Sequence, residues 1–231
     1  MMKYLILLLG FLMLSADSVT AQKKSPGDEA IYRALRGMKR AIAPADYLPV
    51  MDSLDLQCQL QPKNWLAPYY AALSRLFRYQ HPAYLNKDNR DLLKESDDLL
   101  KKAAQLSADE EIILLQAWVS IFRMAEAGQA GYGQYAEGIR QMLEKARAMN
   151  GANPRLLLME AYFMKYLPEE ISGGPNAALN LAMQAAEIFQ QGELEKAPLM
   201  PTWGGSIAEN LVKSLGGEIV PPPSGSSSSG R

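Results

Sequence analysis

The sequence predicts an all-α protein built as a stack of helical hairpins. Three observations predict it. Apolar residues recur at helical spacing in every long segment after residue 25. No segment alternates apolar and polar residues over a strand's length with turn signals on both sides. Small residues recur at a near-constant interval, Ala72, Ala117 and Ala161 being 45 and 44 residues apart, with Gly37 35 residues before the first. The composition, rich in Ala, Leu, Met, Glu, Lys and Gln, agrees.

Each element follows from local signals. Ser25-Pro26 opens the first helix, a capping residue followed by proline at the first helical position. It carries Tyr32, Leu35, Met38 and Ile42 and stops near Pro44. The second runs from about Ala45 to Gln61, with Tyr47, Met51, Leu54 and Cys58 on one face. Asn64 caps a third, from Trp65 to about Tyr79, which His81-Pro82 breaks. Asp88 opens a fourth with Leu92, Leu99, Ala103 and Leu106. Ser107, Asp109, Glu110 and Glu111 start a fifth, acidic residues suiting the positive end of the helix dipole. From Ile112 to Ala125 it is apolar nearly all round, apart from a narrow stripe of Gln116, Ser120 and Arg123. Tyr135, Ile139, Met142, Leu143 and Ala146 mark the sixth, and Asn153-Pro154 opens a seventh that ends at Pro168. After the Gly173-Gly174-Pro175 turn, an eighth shows Ala178, Leu181, Ala185 and Phe189, and a shorter ninth covers Trp203 to Leu215.

The ends differ from this body. Lys3 and the eleven-residue apolar run Tyr4–Leu14 precede Ser18-Val19-Thr20-Ala21, whose small residues at Val19 and Ala21 form a cleavage site. This reads as a secretory signal peptide over residues 1–21, removed after Ala21, with an uncleaved N-terminal anchor as the alternative. No cysteine sits there for lipid attachment. The expected destination is the periplasm or beyond, with no membrane span after signal removal. Residues 22–216 form the helical-repeat domain. Residues 217–231, with three prolines and a Gly/Ser run, form a solvated tail.

Composition excludes several functions. In 231 residues, 48% are apolar, 21% are charged and the net charge is −1, which suits a sizeable core and gives no footprint for nucleic acid. One cysteine and one histidine cannot build an internal disulfide or a His-rich metal site, so no cofactor and no metal is expected. His81 reads as a loop histidine and Cys58 as a buried structural thiol. Asp97-Asp98 and Glu169-Glu170 are adjacent pairs. Helical neighbours point about 100° apart, so these are solvated surface and not acid/base couples. Gly128, Gly131 and Gly133 lie between two helices with no preceding strand, which argues against a phosphate loop. Ser206 lacks the setting of a nucleophile elbow. No catalytic constellation emerges, and the chain is not expected to be an enzyme.

The repeat interval divides the chain into units 26–62, 64–107, 109–152 and 153–197, each a helix pair unable to bury its apolar face alone, with the last helix as a cap. The amphipathic second helices, with Ala103 and Ala146 and the turns Leu106-Ser107-Ala108-Asp109 and Met149-Asn150-Gly151, resemble the tetratricopeptide repeat. Proline is replaced by Ala108 in one turn and displaced to Pro154 in the other, and the units exceed 34 residues. The chain further resembles secreted tetratricopeptide-like proteins of gram-negative bacteria whose function is not established. That resemblance rests on Trp65-Leu66-Ala67-Pro68-Tyr69-Tyr70-Ala71-Ala72-Leu73, Asn153-Pro154-Arg155, Pro168 before Gly173-Gly174, and Pro201-Thr202-Trp203-Gly204. It implies a right-handed superhelix and an exported protein, and no activity.

The aromatic residues carry the functional question. Tyr69, Tyr70, Phe77 and Tyr79 share one helix, and Trp118, Phe122, Tyr162, Phe163 and Tyr166 lie on its counterparts. They either fill the space between stacked helices or line a groove beside Arg75, Arg78, Gln116, Ser120 and Arg155. In tetratricopeptide arrays the first helix of each pair faces that groove. The resemblance therefore nominates Tyr69, Tyr70, Arg75, Gln116, Ser120, Arg155 and Tyr162 as contacts to a protein or peptide partner. The leading expectation is a non-catalytic binding or scaffold protein. The alternative is a small-ligand carrier with an aromatic-lined pocket between helices. Mass spectrometry of the exported protein is expected to give an N-terminus at Gln22, and an intact Met1 would overturn the processing step.

Overall fold

Local capping signals become helix starts in the structure, a computed structural model that describes residues 25–84, 90–172, 175–192 and 199–218. Ten α-helices are found among those residues, and no strand. Helix α1 (Pro26–Arg40) begins at Ser25, whose hydroxyl accepts from the Asp28 amide at 3.0 Å. The Asp28 carboxylate accepts from the Ser25 amide in return, closing a capping box. A 3-10 turn (Pro44–Asp46) leads into α2 (Tyr47–Leu60), and α3 spans Leu66–Tyr79. Asn64 caps α3 by accepting from the Leu66 amide at 3.1 Å.

Helix α4 (Arg90–Leu106) is followed by α5 (Glu110–Ala127), where Asp109 caps by accepting from the Glu111 amide at 3.0 Å. Then come α6 (Gln129–Asn150) and α7 (Pro154–Tyr166), the latter capped by Asn153 with proline at its first position. A four-residue helix, α8 (Glu169–Ser172), precedes α9 (Pro175–Gln190) and α10 (Gly205–Ser214). The sequence reading has no counterpart to α8. Residues 1–21, Asp88, Gly173-Gly174 and most of the tail lie outside the described residues.

Two boundaries need correction. Gly131 and Gly133 are inside α6, not between helices, and Gly128 alone joins α5 to α6 at a φ of 58°. That left-handed step favours glycine and lets one helix follow the other with no loop. Gly131 is needed for approach: a Cβ there would lie 2.8 Å from the Met124 carbonyl oxygen. Trp203, expected to begin the last helix, precedes α10 and lies outside any helix.

Helices pair as α1/α2, α3/α4, α5/α6 and α7/α9, with α10 packed on α9. The first helices of successive pairs also touch, α1 on α3, α3 on α5 and α5 on α7. Ala72, Ala117 and Ala161 are each fully buried on these helices, where a small side chain lets backbones approach. The fifth helix behaves as its composition predicts: Gln116, Ser120 and Arg123 are half-buried, and the residues between Ile112 and Met124 are otherwise buried. Ala117→Leu is expected to overpack the contact and cost about 1–3 kcal/mol. Thermal unfolding reads this as a lowered Tm, and a neutral result would mean that the neighbouring helices stand off at Ala117.

Candidate functional site

Residues seven apart on a helix lie on one face, two turns apart. Helix α3 places Tyr70 and Phe77 this way, α5 places Glu111 and Trp118, and α7 places Arg155 and Tyr162. The face shared by the three helices therefore carries polar groups towards their N-terminal ends and aromatic rings towards their C-terminal ends.

At the polar end lies the carboxylate of Glu111, 2% exposed, in the first turn of α5. It accepts hydrogen bonds from Arg155 Nη1 at 3.1 Å, Asn153 Nδ2 at 2.9 Å and Tyr69 Oη at 3.2 Å. Arg155 itself has no exposed surface. Burial, reinforced by the Glu111 charge, pushes the Tyr69 phenol well above its ordinary pKa, so it stays a donor.

A segment of the chain's own C-terminal region lies against this network. Tyr70 Oη donates to the Leu199 carbonyl at 2.5 Å, Arg155 Nη2 donates to the Pro201 carbonyl at 2.9 Å, and Trp203 Nε1 donates to Tyr69 Oη at 2.7 Å. The strap 199–203 is bracketed by Leu199 at φ 68° and Gly204 at φ 126°. A Cβ at Gly204 would run into the Phe189 ring. Leu199 is a branched residue in a region that L-residues seldom occupy, so its backbone is strained.

At the aromatic end Trp203 lies parallel on Trp118, with centroids 5.4 Å apart and planes 5° apart. The Arg155 guanidinium covers Trp203 at 5.1 Å and Phe189 at 5.5 Å. Phe77 meets both tryptophans edge-on, Phe122 and Tyr162 lie 5.5 and 5.8 Å from Trp118, and Tyr79 lies 4.9 Å from Phe122. The Trp118 indole N–H is buried with no hydrogen-bond partner among the described residues. Phe77 and Tyr79 are half-buried, and so bring the cluster to the surface, and Tyr166 is half-buried against the core. The Lys165 ammonium stands 5.6 Å over the Tyr166 ring, and burial pulls its pKa below the ordinary lysine value.

The nominated contact residues do not form one open strip. Tyr69, Tyr70, Arg155 and Tyr162 are buried in the assembly just described, the first three under the strap. Arg75 is buried on another side of α3. It is held by Asp55 of α2 at 2.8 Å and Glu95 of α4 at 2.6 Å. Gln116 and Ser120 are half-buried, in a stripe whose third member, Arg123, reaches Asp97 of α4 at 3.4 Å. Glu111, Asn153, Pro201 and Trp203 belong to the site but were read from sequence as dipole partner, cap, motif and helix start. The adjacency of Pro201, Trp203 and Gly204 was the available signal for a strap.

The other singled-out groups are engaged elsewhere. His81 is half-buried, with Nε2 2.8 Å from the Ile42 carbonyl and Nδ1 accepting from the Ala83 amide at 3.3 Å. Cys58 is half-buried rather than fully buried, and burial pushes its thiol up to about 11. Asp97 and Asp98 pair with lysines on the surface of α4, and Ser206 is exposed. Among the described residues no three His, Cys, Asp or Glu side chains are grouped to hold a metal ion. No helix among them is long and apolar enough to cross a membrane.

No protein-family model matches the chain. No curated protein matches it either. Among solved structures the chain is similar to the HusA haemophore from Porphyromonas gingivalis. The match has a TM-score of 0.68 and 25% identity, and covers 86% of this chain and all of that one. The likeness is to a binding protein and not to an enzyme.

Glu111 and Arg155 test the network. Arg155→Met alone strands a buried carboxylate and is expected to cost about 3–5 kcal/mol. The double variant Glu111→Gln, Arg155→Met is expected to lose less than the single one in denaturant unfolding. Additive losses would show that the pair is not coupled.

Proposed function

We propose that the chain is a non-catalytic carrier of a planar, largely apolar small ligand of the porphyrin class. The observation that carries this reading is the aromatic cluster that α3, α5 and α7 form with the strap, parallel-stacked at Trp118 and Trp203 and half-exposed at Phe77 and Tyr79. A flat conjugated ring is the ligand shape that such a surface suits, because offset and edge-on ring contacts add to apolar burial. Likeness to a haemophore supports the class. Lys165 at the rim suits a ligand carboxylate. We further infer that the hairpins wind as a right-handed, tetratricopeptide-like superhelix, and that the protein acts in the periplasm or outside the cell after loss of residues 1–21.

Iron ligation is not required for this reading. The single histidine has both ring nitrogens engaged, Nε2 with the Ile42 carbonyl just after α1 and Nδ1 with the Ala83 amide, so affinity comes from ring contacts. Haem and iron-free protoporphyrin IX are therefore expected to bind the mature protein with similar affinity, read by quenching of tryptophan fluorescence and a shifted porphyrin absorbance band. Phe77→Ala is expected to weaken both by about 1–3 kcal/mol while the protein stays folded. Absence of saturable porphyrin binding would overturn the carrier reading.

A second reading has one specific observation in its favour. The face already holds a non-helical stretch of polypeptide by its carbonyls, through Tyr70 on Leu199 and Arg155 on Pro201. A peptide or protein partner engaged by the same groups, with Gln116 and Ser120 at the edge, is the scaffold alternative. A synthetic peptide of residues 199–203 that binds saturably where porphyrin does not would favour it.

A further inference from the structure

The strap presents to the three helices the features of a flat, acceptor-bearing ligand. Its Trp203 ring lies parallel on Trp118 beneath the Arg155 guanidinium, and its Pro201 carbonyl takes one arm of Arg155. We propose that residues 199–203 occupy the ligand seat in the free protein, and that a planar aromatic carboxylate displaces them, stacking on Trp118 and taking over the Arg155 arm released by Pro201. This rests on the carrier reading and adds to it the seat, the second recognition element and the device that keeps the seat closed.

Three observations carry the exchange. The first is complementarity. Withdrawal of the strap would free a tryptophan face and a guanidinium arm that both now contact Trp203 or its segment, a pairing that suits a conjugated ring bearing a carboxylate. The second is the Trp118 indole N–H, buried and without a partner in the strapped form. A buried donor left unpaired is a cost of that form; because the N–H lies in the ring plane, a flexible acceptor arm turning over the edge of a ligand stacked on Trp118 would remove it, not the stacked ring itself. The third is strain in the strap, at Leu199 with φ 68°, where among the described residues no other non-glycine has a positive φ. The strap is thus held by good hydrogen bonds yet carries a strained backbone, and the ring it stacks on keeps an unsatisfied donor. Such a competitor can be displaced.

The closing experiment uses the mature full-length chain and iron-free protoporphyrin IX. Hydrogen exchange followed by mass spectrometry is read on amides 199–205, with and without saturating porphyrin. Exchange there is expected to rise on binding, while α5 stays protected. In parallel, Trp203→Ala is expected to bind protoporphyrin IX ~10-fold or more tightly than wild type, because the closed form no longer reduces the competent fraction. Trp203→Phe, which keeps a ring in the seat, is expected to stay near wild type. Porphyrin binding with amides 199–205 as protected as in the free protein would overturn the strap and leave the carrier reading standing. Saturable binding by neither wild type nor a folded Trp203→Ala would overturn both. If Trp203→Ala does not fold, the wild-type exchange measurement still decides.

Discussion

The carboxylate of Glu111 is the constraint on which the rest of the structure depends. A charge with 2% exposure is tolerable only with full hydrogen bonding, and its donors come from three places: Tyr69 on α3, Asn153 before α7 and Arg155 within it. The position of Glu111 in the first turn of α5 adds the favourable end of the helix dipole. Each donor is itself committed. Asn153 caps α7 by its Oδ1, Tyr69 accepts from Trp203, and Arg155 also holds Pro201. Apolar packing alone would let adjacent helix pairs slide by a turn, since alanines and leucines fit in several registers. A buried ion with fixed donors does not fit in several registers, so this network sets which turn of α3 faces which turn of α5 and α7.

The polar network and the aromatic stack are one mechanical object. Arg155 belongs to both, bonded to Glu111 through Nη1 and standing over the Trp203 ring. Lysine could not do both, because a point charge has no flat surface to stack. On the opposite side of the fold Arg75 bridges α2 and α4 through Asp55 and Glu95, whose carboxylates stay partly in water. Two arginines on first helices of the pairs thus serve different layers: one joins the second helices, the other joins the first helices to the strap.

The parts of this arrangement that were legible in sequence are the parts with local causes. Ser25, Asp109 and Asn153 cap because their side chains reach amides two or three residues on, and such signals survive without knowledge of the fold. The alanine interval and the all-round apolar α5 were legible because both reflect repetition. The site was legible only in its residue types. Tyr70, Arg155 and Tyr162 were singled out as groove-facing, yet the strap covers two of them and the stack encloses the third. Periodicity says which residues share a face, and nothing about what a segment 130 residues later will lay across that face. For the same reason Arg75 and Arg155 look equivalent in sequence but point to different neighbours. Gly131 was misplaced because a glycine that permits close helix approach carries the same local signal as one that ends a helix.

The strap also decides when this protein can finish folding. An ordinary helical array can close pair by pair as the chain grows, because each unit needs only its neighbour. Here Tyr69 and Tyr70 obtain their partners from Trp203 and Leu199, 134 and 129 residues further on. Until those residues have been synthesised, three helices carry an unfilled aromatic seam, and Arg155 lacks the Pro201 carbonyl. Long-range closure of this kind is slow compared with helix pairing. In a chain still being synthesised, Tyr69 and Tyr70 therefore lack these native partners until residue 203 has been made.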